Sequence, residues 1–171
     1  MTPDQEKVVG EALAEGWQGE FPATCQVLAA VKDDKRDYQP DPKSRTAWQL
    51  AAHLATADIW FIECITTGRF HFDPEQAKKQ EAGFSNVNDI VEFYKTTFPD
   101  KLNALKAMPA ETMAETVDFF NMMKMSRARW IGFANNHSIH HRGQLAAYLR
   151  AMGSKVPNIY GPSADAEPQG K

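Results

Sequence analysis

Apolar residues in this chain recur at three- and four-residue spacing through four long stretches, a periodicity that suits helices packed on helices. The first runs from residue 3 to 31 through Val9, Leu13, Trp17, Leu28 and Val31, with Pro3 suited to a first turn. Gly19 and Pro22 predict a kink or break near Phe21. Residues 32–43 are charged and carry Pro40 and Pro42, so they read as an extended crossover. Ser44 or Thr46 then caps a second helix with the stripe Leu50, His53, Leu54, Ala57, Trp60, Phe61, Cys64 and Ile65, ending at Gly68.

A loop is expected from Arg69 to about Ser85, and Ser85 or Asn86 opens a third stripe through Ile90, Phe93, Tyr94, Phe98, Leu102 and Leu105. Pro109 stops it, and Pro99 should kink or divide it. Residues 110–125 have poor periodicity and read as weak strand or irregular. Ser126 caps the last helix, where Trp130, Ala134, His137, His141, Tyr148 and Met152 share a stripe before Gly153. No stretch shows the alternation and hairpin turns of a sheet. The expected fold is therefore all-α, a four-helix bundle with a long crossover: one domain over residues 1–155 and an extended C-terminal tail over 156–171, packed at Ile159 and Tyr160.

Composition narrows the function. A net charge of −3 without a basic face argues against nucleic acid as partner. The most apolar window, residues 48–65, contains His53, Asp58 and Glu63, which a lipid-facing span tolerates poorly. With no signal-peptide pattern at the start and only two cysteines, Cys25 and Cys64, the expectation is a cytoplasmic protein without a membrane partner.

Three of the five histidines fall in the run His137-Ser138-Ile139-His140-His141. Helix positions four apart differ by about 40°, so His137 and His141 stack on one face and can share an ion; His140, about 100° from His141, is left out. Such a pair alone is equally at home in an ordinary hydrogen-bonded setting. His53, inward on another helix, shifts the balance, because bundles build metal sites from facing side chains. Three neutral imidazoles suit a divalent transition metal, with zinc or nickel first and iron or manganese also open, and they leave positions for water or substrate. Zinc proteases of the HExxH type carry glutamate where Ser138 stands, which argues against that chemistry.

The segment HSIHHRGQL (137–145), with Tyr148-Leu149-Arg150 and Gly153, resembles the terminal-helix motif of the DinB/YfiT-like superfamily of metalloenzymes, unrelated to the DNA polymerase that shares the DinB name. AWQLAAHLATADIW (47–60), with His53, and the tail segment VPNIYGPSAD extend the resemblance over nearly the whole chain. It implies a four-helix bundle in which His53, His137 and His141 bind a divalent metal at one end. It also implies, more loosely, thiol-dependent transfer or isomerisation with a low-molecular-weight thiol, a small-molecule substrate and a homodimer. Metal-dependent hydrolysis and a non-catalytic metal-binding or stress-response role are the alternatives.

Arg142 and Gln144 read equally as support for the ligands and as ordinary interhelix hydrogen bonds. Gly143 reads as a close-approach position, Trp48, Trp60, Trp130, Phe61 and Phe133 as core, and Met122, Met123 and Met125 as adaptable packing. Cys64 is more than about 15 Å along the helix from His53, too far to ligate. His71 is given no role, and Asp58 and Glu63 read as solvent-facing charges that could at most orient an imidazole.

Overall fold

Four long helices build the computed structural model, which describes residues 1–166: α1 (Pro3–Ala29), α2 (Ala47–Thr67), α4 (Val87–Lys106) and α6 (Arg127–Ala151). Between them lie the shorter α3 (Pro74–Ala82) and α5 (Ala110–Ala114), and a hairpin of β1 (Thr116–Phe119) and β2 (Met123–Ser126). Each long helix begins at a side-chain cap. Thr2, Thr46 and Asn86 close capping boxes with Gln5, Gln49 and Asp89, and Ser126 Oγ accepts from the Arg129 N–H. Gly68, at φ 75°, ends α2 in the left-handed conformation that residues with a Cβ avoid.

The helices form a ring in which α1 packs on α6 and α4, and α2 on α4 and α6. Contacts fix the directions. Asp58 meets Tyr94 and Glu63 meets Lys101, so α2 and α4 run parallel; Glu6 meets Ser126 and Thr24 meets Arg142, so α1 and α6 do too. Trp17 packs on Phe98 while Phe21 stacks on Tyr94, which sets α1 antiparallel to α4. Successive helices α1 and α2 are therefore diagonal across the bundle, and the chain between them is the expected crossover, though not extended: it coils through a short 3-10 helix at Asp33–Lys35. After α2 the chain must climb back along the bundle before α4 can start, which explains a connection long enough to hold α3.

Several local expectations are corrected. Pro22 leaves α1 unbroken: it is exposed, so the carbonyl it leaves without a donor faces water, while Trp17, Thr24, Cys25, Val27 and Leu28 hold the turns around it in the core. α4 likewise continues through Pro99, held by buried Phe98 and Leu102. The expected loop after Gly68 contains α3, begun by Pro74 in its first turn and by Asp73, whose carboxylate accepts from the Glu75 and Gln76 N–H groups. A sheet exists after all. Phe120 (φ 51°) and Asn121 (φ 60°) turn the hairpin, and Asp118 Oδ1 accepts from the Asn121 N–H at 2.7 Å.

The core runs the length of the bundle, with Trp17, Tyr94, Phe98 and Trp130 all buried. Met122 and Met123 are exposed at the hairpin rather than packed, and a Cβ built on Gly143 meets no atom within 4 Å, so close approach is not what that glycine serves. The chain after α6 folds back on the bundle: Asp165 pairs with Arg150, and Tyr160 hydrogen-bonds Arg142 and Glu20. Residues 167–171 of the expected tail lie outside the described residues. Among the described residues no helix is long and apolar enough to cross a membrane.

Candidate functional site

His53 sits two turns into α2, and His137 and His141 lie one turn apart on α6, which runs antiparallel beside it. The fold brings the three imidazoles together: one nitrogen from each lies within 4.8 Å of the others, and the rings are 4.4 to 5.3 Å apart between centroids. His53 Nε2 and His141 Nε2 are 3.3 Å apart. Zinc–imidazole bonds of about 2.0–2.1 Å give a tetrahedral edge of about 3.3–3.4 Å, so this spacing fits two ligands of one ion. His137 Nδ1 is buried without a partner. His140 is exposed on the flank of α6 and outside the cluster, and His71 lends only its carbonyl, to the Trp60 indole.

Electrostatics favour the form that can ligate. Burial pushes His53 down to about 3, helped by the nearby Arg45 charge and the other two imidazoles. It pushes His137 down to about 4, helped by His141, His140 and Arg45. His141 is lowered too, burial outweighing the opposing bond to Gln144. All three are thus neutral near pH 7, each with a free lone pair. His141 Nδ1 is 2.8 Å from Gln144 Oε1; with the N–H on Nδ1, the lone pair lies on Nε2, toward His53.

Beneath the cluster lies a polar knot whose depth the sequence reading missed. Asp58 is fully buried, not solvent-facing, and its Oδ2 accepts from the Tyr94 and Ser138 hydroxyls, both at 2.8 Å. Burial raises this carboxyl to about 7, the two hydroxyl bonds opposing the rise. Because Ser138 follows His137 directly, the knot fixes how α2, α4 and α6 register at the cluster. Arg142 proves to be an interhelix tie: buried, it donates to the Glu20 carbonyl, the Thr24 hydroxyl, the Glu20 carboxylate and the Tyr160 hydroxyl. Glu63 is exposed and pairs with Lys101. Cys64 lies apart, its thiol beside the His71 carbonyl. Phe61 is buried with its ring 5.1 Å from His137 and 5.9 Å from Phe133, so one side of the cluster is aromatic; Trp48, Trp60 and Phe133 are half-buried.

Residues 5–170 match the model of the DinB family. The Bacillus subtilis protein YrdA is 26% identical over 150 residues, covering 87% of this chain and 86% of YrdA. Among solved structures, a DinB-like protein from Bacillus cereus superposes with a TM-score of 0.72 at 24% identity, over 88% of this chain and 97% of that one. YfiT from Bacillus subtilis, described as a probable metal-dependent hydrolase with an unusual four-helix bundle topology, superposes with a TM-score of 0.62 at 14% identity, over 90% of this chain and 89% of that one.

Proposed function

Since the chain belongs to the DinB family, we propose that it holds one divalent transition metal through His53, His137 and His141 and uses it as an enzyme on small molecules. The observation that carries this reading is the convergence of one nitrogen from each of three half-buried imidazoles within 4.8 Å of one another from two separate helices. A divalent ion there supplies Lewis acidity, lowering the pKa of the ligand that fills its remaining positions. The chain's own residues do the rest: Gln144 orients His141, the Asp58 knot holds the two helices in register, and Phe61 and Phe133 keep one flank dry.

Thiol-dependent group transfer is the favoured reaction class. Among the described residues the cluster consists of the three imidazoles, with no carboxylate in it to serve as a general base. A thiol, at an ordinary pKa of about 8.5, needs far less help to lose its proton than water does. Metal-dependent hydrolysis, the activity in the description of YfiT, is the alternative, in which water bound at the ion would lose its proton to solvent.

Purified without a histidine tag and reconstituted with zinc or nickel, the parent should carry about one metal per chain by mass spectrometry, and His53→Ala and His137→Ala should each lose it. A parent without metal after reconstitution would overturn the reading. Metal-loaded protein that neither binds nor consumes low-molecular-weight thiols would leave the metal site and remove the thiol chemistry.

A further inference from the structure

The segment after α6 is tied back to that helix at two points. Asp165 pairs with Arg150, its Oδ2 2.8 Å from Nη2, and accepts from the Val156 N–H at 2.9 Å. Ser163 braces the loop between them, donating its hydroxyl to the Val156 carbonyl and its N–H to Asn158 Oδ1. Eight residues back along α6, about two turns, the Tyr160 hydroxyl accepts from Arg142 Nη2 at 2.7 Å and donates to Glu20 Oε2 at 3.0 Å. The segment therefore spans the last turns of α6, which carry His141 and Gln144.

Tyr160 is 73% exposed, yet its hydroxyl reaches a side chain, Arg142, that is 1% exposed. Its ring centroid stands 5.4 Å from the guanidinium carbon, so the phenol shields the outer side of that cation. On the inner side Arg142 donates to the Glu20 carbonyl, the Thr24 hydroxyl and the Glu20 carboxylate, all on α1. Water admitted beside such a pair screens its charges and competes for each donor. Arg142 also directly follows His141 in the chain. The tie between α6 and α1 is thus one residue from an imidazole that a metal needs placed to within about 0.2 Å.

Resting on the metal reading above, we propose that residues 156–166 form a strap whose docking tightens the histidine site, with Tyr160 as a positioning residue that acts on His141 through Arg142. Docked, the strap keeps the Arg142–Glu20 pair dry and the His141 turn fixed against α1. Lifted, it takes one acceptor from Arg142 and opens the pair to water, so His141 gains freedom relative to His53 on α2. Coupling of this kind is reciprocal: the factor by which the docked strap raises metal affinity is the factor by which bound metal steadies the strap. Tyr160 takes no part in bond making.

The test compares the full-length parent with Y160F, which keeps the ring and removes the hydroxyl, and with E115Q. Glu115 pairs with the buried Arg127 at the opposite end of α6, so E115Q controls for a purely structural loss. Zinc affinity, measured by competition with a chromophoric chelator, should fall about fivefold in Y160F, the low end of coupling between sites. E115Q should melt at a lower temperature and keep the parental affinity. Conversely, zinc should slow amide hydrogen exchange over residues 156–166 of the parent by about the same factor, and by less in Y160F. Equal affinity in parent and Y160F, or strap exchange indifferent to zinc, would overturn the strap and leave the metal reading standing. Equal falls in Y160F and E115Q would overturn it as well. A parent that takes up no zinc would overturn the metal reading, and the role of the strap with it.

Discussion

His53 Nε2 and His141 Nε2 face each other at 3.3 Å across the α2–α6 interface, a separation at which two bare lone pairs repel unless a proton or a cation lies between them. An ion bound only by the folded chain stabilises the fold by mass action. At a metal concentration one hundred times the dissociation constant this amounts to about 2.7 kcal/mol. For a chain of this size that is about 5–10 °C in melting temperature. Calorimetry of zinc-loaded parent should show that loss when a chelator is added, and His53→Ala should melt at one temperature with or without it. A parent indifferent to chelator would refute the linkage.

Gln144 touches the cluster only through His141 Nδ1, at 2.8 Å, and is otherwise exposed. Replacing it with leucine frees the imidazole to rotate and to change tautomer without disturbing the core. Zinc affinity, measured by competition with a chromophoric chelator, should fall about tenfold in Gln144→Leu, in keeping with other outer partners of ligand histidines. The melting temperature of the metal-free protein should not move. An unchanged affinity would show that the packing of His141 alone sets its orientation.

The metal-free protein should lose stability as pH falls. His53 and His137 are held at about 3 and 4 in the fold, against about 6.5 in the unfolded chain, so below pH 6.5 the unfolded state binds more protons and is favoured. Their contribution is fully present above pH 6.5 and drains away as pH falls toward the folded values. Asp58, raised to about 7, acts in the opposite sense: its contribution is fully present below about pH 4 and is lost as pH rises through 7. A difference measurement separates the two. Between pH 7.5 and 5.5 the parent should lose about 2 kcal/mol more than a His53→Gln, His137→Gln double variant, about 1 kcal/mol per imidazole after solvent screening. Urea titrations at the two pH values give the number, and parallel losses would contradict the burial argument.

What could be read from the chain tracks how far each feature depends on local repetition. The four long helices and the facing histidines were legible because apolar spacing repeats over many turns and His53, His137 and His141 fall on it. α3 has no buried residue, so no stripe announces it; only Asp73 and Pro74 mark its start. The hairpin strands are four residues each, too short for alternation to stand out, and the turn is made by Phe120 and Asn121 without the usual glycine. Asp58 was legible in principle. It lies four residues from both Leu54 and Ile62, on a row that is buried throughout, just as Ser138 and Arg142 continue the row from Ala134 toward Leu145 and Leu149. A polar residue on a core row has a partner inside: Asp58 finds Ser138 and Tyr94, and Arg142 finds Glu20 and Thr24.

Gly143 isolates one of these local terms. It lies inside α6 beside buried Arg142, where the sequence suggests that a glycine admits a neighbouring helix, yet a Cβ there would meet no atom within 4 Å. Nothing packed is lost by adding a methyl group, and glycine in a helix interior costs about 0.8–1.0 kcal/mol relative to alanine through the backbone entropy it gives up on folding. Gly143→Ala should therefore raise stability by that amount, about 2–4 °C in melting temperature, with zinc affinity unchanged because the next residues that matter, His141 and Gln144, keep their contact. Gly132 is the internal control: there an added Cβ would lie 3.3 Å from Leu13, so Gly132→Ala should gain less or lose stability. If Gly143→Ala melts lower than the parent, that exposed face of α6 is covered by something the isolated chain does not contain, and the oligomeric state of the parent in solution becomes the quantity to measure.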